Sequence, residues 1–182
     1  MSEPFRRQLR ALPDFPDTLP GFDPEGAPTD PAELFRHWLG DALAAGERQP
    51  HACSLATAGG DGKPSSRMLI LKNIDDDGWH FATSRTSRKG RELGANPHAA
   101  MTFYWPSQGR QVRVAGAVVE LSAEASAQDW AERPRADGST NPHWQLYALR
   151  PAEIEFWQAS NDGNHVRHRV APTVRPWVRL SP

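Results

Sequence analysis

The sequence predicts a mainly β (α+β) fold, an antiparallel barrel that is closed or nearly closed and flanked by a few helices. Three observations carry that prediction. From about residue 51 the apolar period changes to two, the repeat of a half-buried strand. Turn-forming runs, Gly59-Gly60-Asp61-Gly62 and Asp75-Asp76-Asp77-Gly78, join the first of these strands as hairpins. The strands then follow one another with few helices between them, which argues against a parallel α/β sheet.

Residues 1–29 hold Pro4, Pro13, Pro16, Pro20, Pro24 and Pro28 and lack apolar periodicity. They read as an extended arm ahead of a single domain at 30–182. Arg6-Arg7 suggests a twin-arginine export signal, but Arg10, Pro13 and Asp14 interrupt the apolar residues that follow, so export is rejected. Asp30-Pro31-Ala32-Glu33 opens a helix with an acidic N-cap and proline at the first helical position. Leu34, Phe35, Trp38, Leu39, Ala42 and Leu43 give it one apolar face, and Gly46 ends it. Strands are expected at Ala52–Thr57, Ser65–Ile74 and Trp79–Thr83, then a short helix at Ser87–Ala95. Strands at His98–Trp105 and Gln111–Leu121 and a helix at Ala123–Glu132 come next. Leu146–Leu149 and Ile154–Gln158 read as two strands around Pro151, and Val166–Val170 and Trp177–Leu180 as the last two.

The chain has 182 residues, the size of one domain. Lys plus Arg is 21 against 22 Asp plus Glu, a net charge of −1 that argues against wholesale nucleic-acid binding. The apolar runs are too short to span a membrane. A single cysteine, Cys53, leaves no intrachain disulfide and no cysteine zinc cage, and points to a cytoplasmic protein. Cys53 reads as core filling, and Trp38, Trp79 and Trp105 as core or dimer packing. His165 and His168 lack the acidic partners of a metal site.

Three stretches carry the chemistry. In Ser84–Leu93, Ser87 can cap a helix whose first turn holds Arg88, Lys89 and Arg91. Cations there oppose the helix dipole, which makes sense if a phosphate sits at the free amides; the same residues could be a solvated face. In Ser65–Lys72, alternation puts Arg67, Leu69 and Leu71 on one side and Met68, Ile70 and Lys72 on the other. Such a strand could line a flat ligand with a charged tail, or be an ordinary core strand with cations at its wet ends. In Arg110–Gly116, Gln111 shares a face with Arg113 and Ala115, where it could bond the polar edge of a heterocycle or face water.

Taken together, SSRMLILK, FATSRTSRKGREL, FYWPSQGRQVRVAG, the ERPR at Glu132–Arg135 and EIEFWQ resemble the pyridoxine/pyridoxamine 5′-phosphate oxidase family of flavoproteins, from about Asp30 to the C-terminus. The resemblance implies an antiparallel split β-barrel that forms a homodimer, with FMN at the subunit interface. It implies that Arg67, Met68, Leu69, Ile70, Leu71 and Lys72 line the flavin and that Arg67 lies near its phosphate, with Thr83, Arg88 and Lys89 completing the grip. By the same resemblance Gln111 faces the flavin ring, and Trp157 and Arg167 are C-terminal flavin contacts reaching the site formed with the other subunit.

On the substrate side the resemblance carries over Lys72, Arg133 and His165. Three positions depart from the family: Gly163 replaces an arginine, Asp129 a phosphate-binding tyrosine and Asp137 a serine. A carboxylate beside a dianionic phosphate is repulsive, and a lost arginine removes a directional donor. The passage from Arg135 to Pro142 also leaves no room for a helical segment that, in the family, contributes a Gln-Ser pair to the FMN phosphate. The implied activity is hydride transfer from an amine or alcohol carbon to FMN, with O2 as acceptor. Pyridoxal 5′-phosphate formation is the default, and a divergent substrate, such as an amine or a dihydro-aromatic ring of a specialised pathway, is the expectation from the altered pocket. A non-catalytic flavin- or haem-binding protein and an NAD(P)H flavin reductase are the competing readings.

Overall fold

The computed structural model describes residues 3–134 and 136–170. Eight strands form one antiparallel sheet: β1 (Ala52–Ala58), β2 (Pro64–Ile70), β3 (Asn73–Asp75), β4 (Gly78–Ser84), β5 (His98–Trp105), β6 (Arg110–Glu120), β7 (Trp144–Gln158) and β8 (Val166–Val170). Their spatial order is β2-β1-β5-β6-β7-β4-β3, with β8 added to β7. The two ends of that path, β2 and β3, are consecutive in sequence, so the sheet curls round and leaves a seam there. This is the split barrel expected from the sequence. The helices are α1 (Glu3–Arg10), α2 (Pro31–Ala44), α3 (Arg88–Ala95) and α4 (Ala123–Glu132). No helix of the described residues is long and apolar enough to cross a membrane.

The core lies inside the barrel and under α2. Asp30 caps α2 by accepting from the Ala32 amide at 3.0 Å, and the helix buries Leu34, Phe35, Trp38 and Ala42. Phe35 meets Trp79 and Phe103 edge-on at 4.6 and 4.8 Å between ring centres. Trp79 and Trp105 are fully buried among them, and Cys53 is core filling, its thiol pushed up to about 12 by burial. Arg110, also buried, is held by Asp41 at 2.7 Å, by Gln158 at 2.8 Å and under the Trp38 ring, which ties α2 to the barrel wall.

Three expectations are corrected. The arm is not wholly extended: Glu3–Arg10 forms α1, since no proline falls between Phe5 and Leu12 and the residues there are helix formers. The expected strand Ser65–Ile74 is two strands, because at Leu71–Lys72 the chain changes partner. The Leu71 amide donates to His51 on the β1 side, and the Lys72 amide to His80 in β4. Conversely, Leu146–Leu149 and Ile154–Gln158 belong to one strand, β7. Pro151 is accommodated at a bulge, where the register with β6 shifts between Ala115 and Gly116. Gly116 makes room for it, since a Cβ there would fall 2.0 Å from the Arg150 carbonyl oxygen. The expected strand Trp177–Leu180 lies outside the described residues.

Candidate cofactor and substrate site

Glu92 organises the first cluster. It faces β1 and β2 from α3, whose N-cap Ser87 accepts from the Gly90 amide, as the sequence predicts. Glu92 Oε2 receives hydrogen bonds from Ser65 and Thr57, both at 2.6 Å, and from Arg67 at 3.1 Å, while Oε1 receives one from Arg88 at 2.8 Å. Those bonds, led by Ser65 and Thr57, hold its carboxyl down at about 2. Arg67 also donates to Thr57 and Ser65. Lys89 lies close enough for its pKa to be lowered, first by burial and then by the charge of Arg67. The Thr83 and Ser87 hydroxyls lie 3.2 Å apart at the mouth of the same helix. Arg67 and Arg88 therefore meet on one carboxylate, Lys89 lies within reach of the charge of Arg67, and Thr83 touches the cap of the same helix.

Gly90 is required for this arrangement. A Cβ there would meet the Ser84 and Arg85 carbonyl oxygens at 2.4 and 2.6 Å, so only glycine lets the first turn of α3 press against the end of β4.

The second cluster is on the other side of the sheet. Residues directly opposite across antiparallel strands share a face. Arg67 is opposite Leu55, Leu55 opposite Met101, Met101 opposite Val114 and Val114 opposite Ile154, a row that runs through the fully buried core. Gln111 is opposite Tyr104 on one side and Trp157 on the other, and Trp157 is opposite Arg167. Tyr104 is 53% exposed, so this row faces outward. Gln111, Trp157 and Arg167 border a cavity of about 510 Å³ together with Phe15, Glu155 and Arg169. His165 packs against Trp157 at 5.0 Å, and its Nδ1 accepts from the Ser160 amide at 3.1 Å. Met68 and Ile70 are exposed on β2, while Leu69 and Leu71 pack on the core. The expected alternation of this stretch therefore holds for its apolar residues.

Lys72 and Arg133 stand apart from both rows. Lys72 Nζ is 3.2 Å from Asp129 on α4, and Arg133 stacks on Trp130 with Asp137 at 3.6 Å. Sequence reading missed Glu92, Thr57 and Ser65 as members of the first cluster and Phe15 as a neighbour of Trp157. The spacing Arg88–Glu92 was a usable signal, since residues four apart share a helix face. Nothing in the sequence signals the contact of Phe15 with Trp157, 6.0 Å between ring centres.

Fold and clusters together define an antiparallel split-barrel protein with a cation-rich cradle at a helix start and an aromatic, arginine-lined outer face. The profile of the pyridoxamine 5′-phosphate oxidase family matches residues 39–158, and the chain belongs to that family. A pyridoxine/pyridoxamine 5′-phosphate oxidase of Salinibacter ruber is 38% identical over 192 residues, covering 84% of this chain and 89% of the relative. One of Rubrobacter xylanophilus is 35% identical with both chains covered in full. Among solved structures, PhzG of Burkholderia lata in complex with tetrahydrophenazine-1-carboxylic acid superposes with a TM-score of 0.77 at 32% identity, covering 84% of this chain and 91% of PhzG.

Proposed function

We propose that this chain is a cytoplasmic, FMN-dependent oxidase that acts as a homodimer. In this reading each flavin lies between the inward cluster of one protomer and the outward face of its partner. The observation that carries the proposal is the division of the flavin-type residues between opposite faces of one sheet. Arg67 and Lys89 on one face and Gln111, Trp157 and Arg167 on the other cannot close on one flat ligand within a single chain. Exposed Met68, Ile70 and Tyr104 supply apolar surface that a second copy would cover.

The cradle suits a phosphate. Burial and Arg67 both disfavour the charge on Lys89, and a bound anion would relieve that strain while accepting from the Thr83 and Ser87 hydroxyls. When bound, FMN supplies the redox chemistry, taking a hydride from a substrate carbon and passing electrons to O2. The residues of this chain hold and orient: Arg67 and Lys89 the phosphate, Gln111 the polar edge of the ring, Trp157 and Arg167 its far side. Lys72, Arg133 and His165 face the substrate.

The names of the relatives favour pyridoxamine or pyridoxine 5′-phosphate as substrate, and the ligand of the PhzG complex favours a partly reduced heteroaromatic ring. Both are oxidations by the same flavin. The test is an absorption spectrum followed by oxygen uptake with each class of compound. The expected result is a yellow protein that one of them bleaches without air and that air recolours. A colourless protein that takes up no added FMN contradicts the proposal.

A further inference from the structure

We propose that Asp129 is a charge lock on the substrate side of the site. With it in place, the pocket gives a phosphate monoester no advantage over an unphosphorylated ring compound, neutral or singly charged. The proposal rests on the flavin-oxidase reading and narrows its substrate class.

Lys72 follows β2 at the seam of the barrel, and its ammonium meets Asp129 Oδ1 at 3.2 Å, with the two side chains only 21% and 14% exposed. The other carboxylate oxygen is fixed as well: the Trp144 indole N–H donates to Asp129 Oδ2 at 2.8 Å. Both oxygens are thus engaged, one by a neutral donor that aims the group and one by the lysine. The charge of Lys72 is balanced before any ligand arrives. Arg133 is treated similarly, though more loosely: it stacks on Trp130, donates to the Trp130 carbonyl and has Asp137 at 3.6 Å.

A dianion approaching Lys72 meets a carboxylate at nearly the same distance as the ammonium. In a partly buried pocket that repulsion offsets the attraction, and displacing Asp129 would leave its charge half-buried and unpaired. A neutral ring meets neither penalty. Trp144 also lines, with Trp130 5.2 Å away, a mainly apolar cavity of about 470 Å³ between α4 and the start of β7, a space that neither Lys72 nor Asp129 borders. Trp144 is a positioning residue here, acting through Asp129.

The experiment compares dissociation constants of pyridoxal 5′-phosphate and pyridoxal for the FMN-loaded protein, read from the perturbation of the flavin absorption. For the unaltered protein the two constants should be similar. Asp129→Asn keeps the shape and removes the charge. It should tighten the phosphorylated compound about tenfold or more while leaving pyridoxal within about twofold. Trp144→Phe, which frees the carboxylate to turn, should shift the ratio the same way by less. An unaltered protein that already prefers the phosphorylated compound tenfold overturns the lock and leaves the flavin reading standing, as does an Asp129→Asn ratio that does not move. Should Asp129→Asn fail to fold, the ratio for the unaltered protein decides alone. A protein that takes up no FMN overturns the flavin reading, and the lock with it.

Discussion

Arg88 and Lys89 are neighbours in the sequence and differ in the fold. Arg88 is 67% exposed and spends its guanidinium on Glu92, one helical turn away. Lys89 is partly buried and pressed by Arg67, and it is not among the groups that hold Glu92. Losing Lys89 should therefore matter more to an anion than losing Arg88. Lys89→Ala is expected to weaken FMN binding by about 1.5–3 kcal/mol, the worth of a charge-assisted hydrogen bond. Arg88→Ala is expected to change it by at most about 0.5 kcal/mol, the worth of an exposed pair four residues apart. A fluorescence titration of FMN into each variant measures both, and equal losses would contradict this division. The cations of this cluster were readable from the sequence because they break the usual preference for acids at a helix start. The role of Glu92 was not, because its partners Thr57 and Ser65 meet it only through the register of the β1–β2 hairpin, which local pattern leaves open.

At the scale of elements, what punctuation and periodicity can signal was read correctly, and what depends on partners was not. The cap of α2, the cap of α3 and the limits of β5 and α4 follow from local residues and stand where expected. The break after Ile70 has no breaker residue; the chain simply leaves β1 for β4. Pro151 looks like a strand end, and only the bulge against Gly116 lets β7 run through it. Gly90 shows the same dependence on a neighbour. Its backbone conformation is ordinary, and its necessity lies in two carbonyl oxygens of the preceding turn. Gly90→Ala should lift α3 from β4, lower stability by about 1–3 kcal/mol and weaken FMN binding in step. Chemical denaturation alongside the same titration checks this; full stability with unchanged FMN binding would refute the close-approach account.

The whole molecule is organised by the two faces of one curled sheet. The inner face carries the core and, at its rim, Arg67 among the cradle residues; the outer face carries Gln111, Trp157 and Arg167. Alternation along a single strand already hinted at this separation, but the pairing of strands distant in sequence was needed to place the two rows. The arm touches both faces, with Phe15 against Trp157 on the outer one and Phe22 beside the core. Asn161 donates to the carbonyls of Pro16 and Asp17 at 3.0 and 2.9 Å, and Phe22 packs on Trp38 and His168. A site made from two faces of two copies has a consequence that no single-chain site shares: two defective chains can complete one another. The direct measurement is FMN content per chain in Arg67→Ala, in Arg167→Ala and in a co-expressed equal mixture of the two. Each variant alone should retain little flavin, whereas mixed dimers should restore about a quarter of the sites, since each mixed dimer holds one site with both faces intact. A mixture that holds no more FMN than the average of its parents would contradict the shared site.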